Sequence, residues 1–150
     1  MKTTLIILVA TFSILASCNN NSKQTNNREK TVSDTKTNNC YAYTSAKDSV
    51  FINLKISDNI VTGDLTYNLF QKDNNKGTLQ GTMKGDTLIA EYKFLSEGTE
   101  SIREVAFLKK ENDFVEGYGD VEEINGKVRF KNTGALNFSS NVLLKNIECR

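Results

Sequence analysis

The sequence predicts an all-β fold, an antiparallel up-and-down meander of about eight or nine strands that closes, or nearly closes, into a barrel. Three observations predict it. Apolar and polar residues alternate with a period of two from residue 48 onward. Turn residues interrupt this alternation at intervals of about 10–13 residues. No stretch shows a convincing helical period. A two-sheet sandwich is the structural alternative.

The strands follow from the alternation, as in Val50, Ile52 and Leu54. We predict strands near 41–46, 49–57, 60–70, 77–84, 87–95, 101–110, 114–121 and 127–131, with a last strand at about 142–148. Short loops between them favour antiparallel pairing of consecutive strands. Asn125-Gly126 is the strongest turn signal, because both residues accept the positive φ of a type I′ hairpin. Glycines inside predicted strands permit the bends that closure needs, at positions 63, 77, 81, 117 and 119.

The N-terminus has the pattern of a secretory signal. Lys2 precedes about twelve mostly apolar residues, which are too few to span a bilayer. Leu15-Ala16-Ser17-Cys18 follows, and it resembles the lipobox of bacterial lipoproteins. The resemblance implies cleavage after residue 17 and a lipid on Cys18 that anchors the chain to a membrane.

The residue after Cys18 is Asn19 rather than Asp, which resembles the outer-membrane default of enterobacterial sorting. We therefore expect a lipid-anchored protein of the cell outer membrane. The absence of an acidic cluster after Cys18 favours the periplasm-facing leaflet, with the cell surface as the alternative.

The mature chain divides into a tether, 18–39, and a β domain, 40–150. Residues 19–39 contain seven Asn, and Val32 is their only clearly apolar residue. Such a composition predicts disorder. Cys40 and Cys149 remain once Cys18 carries lipid, and an exported protein meets an oxidising compartment, so we predict a disulfide between them. The alternative is two free thiols.

Several segments of the β domain carry a resemblance. They are Asp73-Asn74-Asn75-Lys76-Gly77-Thr78, Gly85-Asp86-Thr87-Leu88, Ser96-Glu97-Gly98, Arg103-Glu104-Val105 and Glu116-Gly117-Tyr118-Gly119. With the lipobox, the tether and the flanking cysteines, they resemble small uncharacterised lipoproteins of Bacteroidota bacteria, a group with no activity to carry over. The architecture also looks distantly like lipocalins and avidins. The chain has no Trp, so the Gly-x-Trp motif of lipocalins and the Trp-lined pocket of avidins are missing.

The residue types exclude several chemistries. There is no His, which removes Ser-His-Asp and Cys-His mechanisms. No phosphate-binding loop or dinucleotide fingerprint is present. Without Lys2 the mature chain has 18 basic (19 − 1) and 18 acidic residues, so nucleic acid is not an expected partner. We predict a monomeric non-enzyme without cofactor or metal. The segment 73–77 resembles the opening of a calcium loop but lacks later ligands, which favours a plain hairpin.

Arg103, Glu104, Glu116 and Tyr118 form the candidate binding site. They lie on predicted strands joined by the turn at 111–113, with Arg103 and Glu104 roughly opposite the 118–121 region. They would bind a polar ligand or a partner's side chain, or form a cross-strand ladder on the surface, which is the favoured interpretation.

Four carboxylates, Glu91, Glu104, Glu116 and Asp120, lie on predicted strands, and we expect them on the solvated outer face. A pair inside the barrel would permit acid–base chemistry.

Two segments, Asp48-Ser49-Val50 and Asp86-Thr87-Leu88, resemble the Asp-Ser/Thr-aliphatic acceptor of O-glycosylation in exported Bacteroidota proteins. The resemblance implies Ser49 and Thr87 as candidate glycosylation sites. The alternative is that Asp, Ser and Thr are simply good turn residues.

Three functional hypotheses follow. The first is a non-enzymatic cell-envelope lipoprotein with a binding surface or cavity for an envelope protein, glycan or small ligand, or with a structural role. The second is an inhibitor of a lytic enzyme or protease that offers the loop 71–77 or 96–100. The third is a carboxylate-dependent hydrolase that uses Glu104 and Glu116.

Overall fold

The protein is described by a computed structural model that covers residues 38–72 and 74–149. The predicted signal peptide 1–17, the lipidation site Cys18 and the tether up to residue 37 lie outside the described residues. In the part of the chain that is described, no helix has the length and apolarity needed to cross a membrane.

Ten strands make up the described chain. They are β1 (Asn38–Thr44), β2 (Ser49–Ser57), β3 (Ile60–Asn68), β4 (Asn75–Lys84), β5 (Thr87–Ser96), β6 (Thr99–Lys110), β7 (Asp113–Gly117), β8 (Val121–Ile124), β9 (Lys127–Phe130) and β10 (Leu143–Ile147). A single 3₁₀ turn, Thr133–Ala135, interrupts the last long connection. The all-β prediction is confirmed.

Eight of these strands close into an antiparallel barrel. Consecutive strands pair from β1 to β7, and β10 pairs with both β7 and β1. Cys40 lies opposite Ile147 at the seam between the first and last strands. The disulfide Cys40–Cys149 joins this seam, with the two Cα atoms 5.2 Å apart. The closed barrel and the disulfide are as the sequence predicted, and the sandwich alternative is wrong.

The hairpin β8–β9 was not predicted correctly. The predicted strand 114–121 ends at Gly117, so Gly119 and Asp120 lie in a loop rather than in a strand. The segment near 127–131 is not part of the barrel, because β9 pairs in parallel with the first half of β6. The lengths explain this difference. β6 has 12 residues and β7 has 5, so β7 leaves half of β6 as an open edge that the hairpin covers. The predicted turn Asn125-Gly126 is present, with φ values of 53° and 74°.

The two ends of the barrel differ. The first described residue, Asn38, lies opposite Lys55 at one end, which also carries the short turns 58–59, 85–86 and 111–112. We call it the closed end. The other end carries the connections 45–48, 69–74, 97–98 and 118–142, and we call it the mouth.

Apolar side chains fill the barrel toward the closed end. Leu54, Val61, Leu88 and Phe107 are completely buried there, because every second residue of a barrel strand points inward. On the interior-facing side of β3, Gly63 lies so close to β2 that an added Cβ would sit 2.0 Å from the carbonyl oxygen of Asn53. At this position the lack of a side chain lets the two strands approach closely, which agrees with the role in barrel closure that the sequence predicted.

Candidate functional site

A cavity of about 390 Å³ opens at the mouth of the barrel. All four predicted site residues line it, together with residues from β1, β2, β3, β8 and β9 and from the connections at the mouth. Its lining includes Arg103, Glu104, Glu116 and Tyr118, and also Tyr43, Asp48, Val50, Tyr67, Leu69, Lys72, Val105, Val121, Val128, Phe130 and Val142. The volume lies in the range of about 300–1,000 Å³ typical of small-molecule sites.

Glu116 is the buried carboxylate of the cavity. It follows Phe114 on the inward face of β7, and only 7% of the residue is exposed. The Tyr67 hydroxyl donates to its Oε1 at 2.5 Å, and the Tyr118 hydroxyl donates to its Oε2 at 2.8 Å. The expectation that Glu116 lies on the solvated outer face is therefore wrong.

The electrostatics of this group follow from burial. Desolvation raises the pKa of Glu116, while the hydrogen bonds from Tyr67 and Tyr118 and the nearby charge of Arg103 oppose that rise. Burial, and then the charge of Glu116, raise the pKa of both tyrosines well above 10. Both hydroxyls therefore stay protonated near neutral pH and can act as donors.

Arg103 is the cation of the cavity wall. It shares the inward face of β6 with Val105 and Phe107, two and four residues further along the strand. The centre of its guanidinium lies 5.0 Å from the ring of Tyr67, 5.4 Å from that of Tyr92 and 5.1 Å from that of Phe94. Its Nε is buried without a hydrogen-bond partner. The prediction of a surface ladder is wrong for Arg103. Its side chain points inward because it lies on the same face of β6 as the buried Val105 and Phe107.

The predicted register of the site is wrong as well. The β6–β7 ladder ends at the pair Ala106–Gly117, so Arg103 and Glu104 have no partner in the 118–121 region. Glu104 instead accepts a hydrogen bond from the backbone N–H of Phe130 at 2.9 Å. It therefore fixes the end of β9 at the rim of the cavity.

A second group of charges holds the same hairpin from outside. Glu91 pairs with Lys127 at 3.0 Å and with Arg129 at 2.6 Å. The hydrogen bond from Lys127 is the main cause that lowers the pKa of Glu91. Glu91 is directly opposite Glu104 in the β5–β6 ladder. Both carboxylates bind β9, Glu91 through the side chains of Lys127 and Arg129 and Glu104 through the backbone of Phe130.

The aromatic residues beside Arg103 were missed in the sequence. Tyr67, Tyr92 and Phe94 occupy inward positions of β3 and β5, where alternation predicts core residues. Tyr92 stacks on Phe94 with ring centroids 4.7 Å apart. The signal that would have found them is that inward positions on two strands, β3 and β5, carry aromatic rings at the level of one inward arginine.

The remaining candidate sites are placed as follows. Ser49 and Thr87 begin β2 and β5 and are partly buried, and the Ser49 Oγ accepts from Asn68 at 3.3 Å. Their glycosylation stays a prediction. In the segment proposed to resemble a calcium loop, residue 73 lies outside the described residues. Among the residues that are described, no three metal-binding side chains converge. The proposed inhibitory loop 96–100 is a tight turn whose tip is Glu97 and Gly98.

The fold and the cavity together define a class, a small closed β-barrel with a polar cluster in an open internal cavity. Comparison with protein-family models, with curated proteins and with solved structures found no match for this chain.

Proposed function

We propose that this protein is a lipid-anchored, non-enzymatic binding protein of the cell envelope whose barrel holds a small ligand. The observation that carries the proposal is the open cavity of about 390 Å³. Its wall is largely apolar, with valines from β2, β6, β8 and β9 and from the connection before β10, and a few polar side chains converge in it. This is the usual composition of a small-molecule site.

The polar groups are arranged for recognition rather than for acid–base catalysis. Both oxygens of Glu116 accept hydrogen bonds from tyrosines, which stabilise the charged carboxylate and make it a weaker base. Glu104 is engaged by the backbone of Phe130. These contacts favour binding over the hydrolase hypothesis. A Glu116→Gln variant that lost a measured activity on envelope glycans would favour the hydrolase instead.

The anchoring part of the proposal rests on the lipobox at residues 15–18. Replacement of Cys18 by Ser removes the thiol that would carry the diacylglyceryl group. In a bacterial host, labelled palmitate should be incorporated into the unmodified chain and not into Cys18→Ser. Equal labelling of both chains would disprove the anchor and leave the cavity untouched.

The binding part is tested with the Cys18→Ser chain and a neutral apolar dye, N-phenyl-1-naphthylamine. We expect a saturable rise in fluorescence as the dye enters the cavity. Val142 lines the cavity and is partly buried, so Val142→Trp should fill part of the space and weaken binding. Ile60 is 57% exposed, so Ile60→Trp is the matched control and should bind as the parent does. No saturable binding, or equal binding by both variants, would refute the proposal.

A further inference from the structure

We infer that the ligand has one carboxylate group on an apolar body, and that Arg103 receives the carboxylate. This inference rests on the proposed function, because it names the chemical class of the ligand in the same cavity. It is carried by the surroundings of one side chain.

The guanidinium of Arg103 is held by aromatic rings instead of by a carboxylate. Tyr67, Tyr92 and Phe94 lie within about 5.5 Å of its centre, as cation–π contacts require. Among the described residues, Arg103 forms no salt bridge, and its buried Nε has no hydrogen-bond partner. The rings therefore hold the guanidinium in place, while its charge has no counter-ion and its Nε–H has no acceptor among the described residues.

An unused buried donor is unfavourable, and a ligand would relieve it. A buried N–H without a partner has lost its hydrogen bond to water and has gained none in return. The planar fork of a guanidinium matches the two oxygens of a carboxylate, and such bonds are stronger than neutral ones. The rings restrict the movement of Arg103, so less side-chain freedom is lost when an anion binds.

Glu116 does not satisfy this role. It lies close enough for the charge of Arg103 to lower its pKa, yet its two oxygens accept from Tyr67 and Tyr118. The tyrosines thus engage both oxygens of the internal carboxylate, and among the described residues no salt bridge joins it to Arg103. For a dianion, the attraction to Arg103 and the repulsion from Glu116 both double, so these charges alone do not select the headgroup. A phosphate monoester carries a third charged oxygen beyond the two that the guanidinium fork matches, and this oxygen would have to be desolvated. The cavity therefore favours a carboxylate over a phosphate monoester.

The rest of the wall sets the body of the ligand. Val50, Leu69, Val105 and Val142 line the cavity with hydrocarbon. Lys72 lies on the connection at the mouth, where it would attract anions without being enclosed. A chain of methylene groups would bind more tightly with each group that is buried against such a wall.

The test uses four probes with the same ten-carbon chain, decanoate, decanol, decyltrimethylammonium and decyl phosphate, each below its micelle concentration. They compete with N-phenyl-1-naphthylamine for the Cys18→Ser chain. We expect decanoate to bind best and decanol to bind about tenfold more weakly, because the alcohol leaves the cation without a counter-charge.

Two variants locate the effect at one residue. Arg103→Met keeps much of the length and should weaken decanoate about tenfold while changing decanol little. Arg103→Lys keeps the charge but not the fork and should give a smaller loss. Lys93→Met is the control, because the Lys93 side chain is 54% exposed and paired with Glu100. Retained dye binding by Arg103→Met shows that the barrel has folded.

The outcomes separate this inference from the proposed function. Dye binding together with equal or tighter binding of decanol or the ammonium probe overturns the inference and leaves the proposed function standing. Tighter binding of decyl phosphate overturns the carboxylate class. Unchanged decanoate binding by Arg103→Met overturns the role of Arg103. A chain that binds neither the dye nor any of the four probes refutes both.

Discussion

The buried hydrogen bond between Tyr67 and Glu116 makes a quantitative prediction. Tyr67→Phe removes one hydroxyl and leaves the ring, so the packing against Arg103 and Tyr92 is kept. The lost bond is 2.5 Å long, is buried and joins a hydroxyl to a carboxylate. Bonds to charged groups contribute about 1.5–3 kcal/mol. We expect the free energy of unfolding at about pH 7 to fall by about 2 kcal/mol.

The loss should depend on pH in a defined direction. Burial raises the pKa of Glu116 in the folded state, so the carboxyl takes up its proton earlier than in the unfolded chain as pH falls. Stability from this group is therefore complete below the unfolded pKa and declines as pH rises through the folded pKa. Near pH 4 the bond becomes neutral, and its contribution falls to about 0.5–1.5 kcal/mol. The effect of Tyr67→Phe should thus be smaller by about 1 kcal/mol at acid pH.

Urea unfolding followed by far-UV circular dichroism at both pH values measures this difference. Tyr43→Phe is the matched control, because Tyr43 lines the same cavity and its hydroxyl has no hydrogen-bond partner among the described residues. The reasoning fails if Tyr67→Phe loses no more stability than Tyr43→Phe. It also fails if the loss is the same at both pH values.

Three further perturbations test the scaffold. Replacing both Cys40 and Cys149 by Ala removes the disulfide across a sequence separation of 109 residues, and it should lower the free energy of unfolding by about 4–5 kcal/mol in chemical denaturation. If reducing the disulfide of the unmodified protein leaves its stability unchanged, this expectation is wrong. In Gly117→Ala the new Cβ would lie 2.3 Å from Cε1 of Phe138, so thermal unfolding should show a loss of about 1–3 kcal/mol; an unchanged midpoint would mean that Phe138 moves freely. Tyr92→Phe removes a buried hydroxyl without a partner and should raise stability by about 1 kcal/mol at neutral pH. Its gain should grow between about pH 10 and 12, because burial raises the pKa of Tyr92 to about 12, and a gain independent of pH would contradict this.

The barrel could be predicted because the features that define its strands and turns are found within short stretches of sequence. Each barrel strand has one buried face, so the period of two and the turn residues appear directly in the sequence. The hairpin β8–β9 could not be placed in this way. Val128 and Phe130 alternate with Arg129 and Lys131 as any barrel strand would. Its pairing with β6 depends on the short length of β7, which only the closed structure determines.

The site was predicted in its members but not in its orientation. Arg103, Glu104, Glu116 and Tyr118 do line one cavity. In the segment 102–106 apolar residues fall on both faces of the strand, so the alternation does not show which face is buried. The sequence therefore did not determine whether Arg103 points inward or outward. Orientation follows from Phe107 and Phe114, whose burial fixes the phase of both strands.

The polarity of the barrel has a consequence for how a ligand is exchanged. The chain joins the barrel at the closed end, beside the seam disulfide, and the cavity opens at the opposite end. A ligand would therefore be exchanged at the mouth, between the connections 45–48 and 118–142, while the disulfide holds the first and last strands together at the other end.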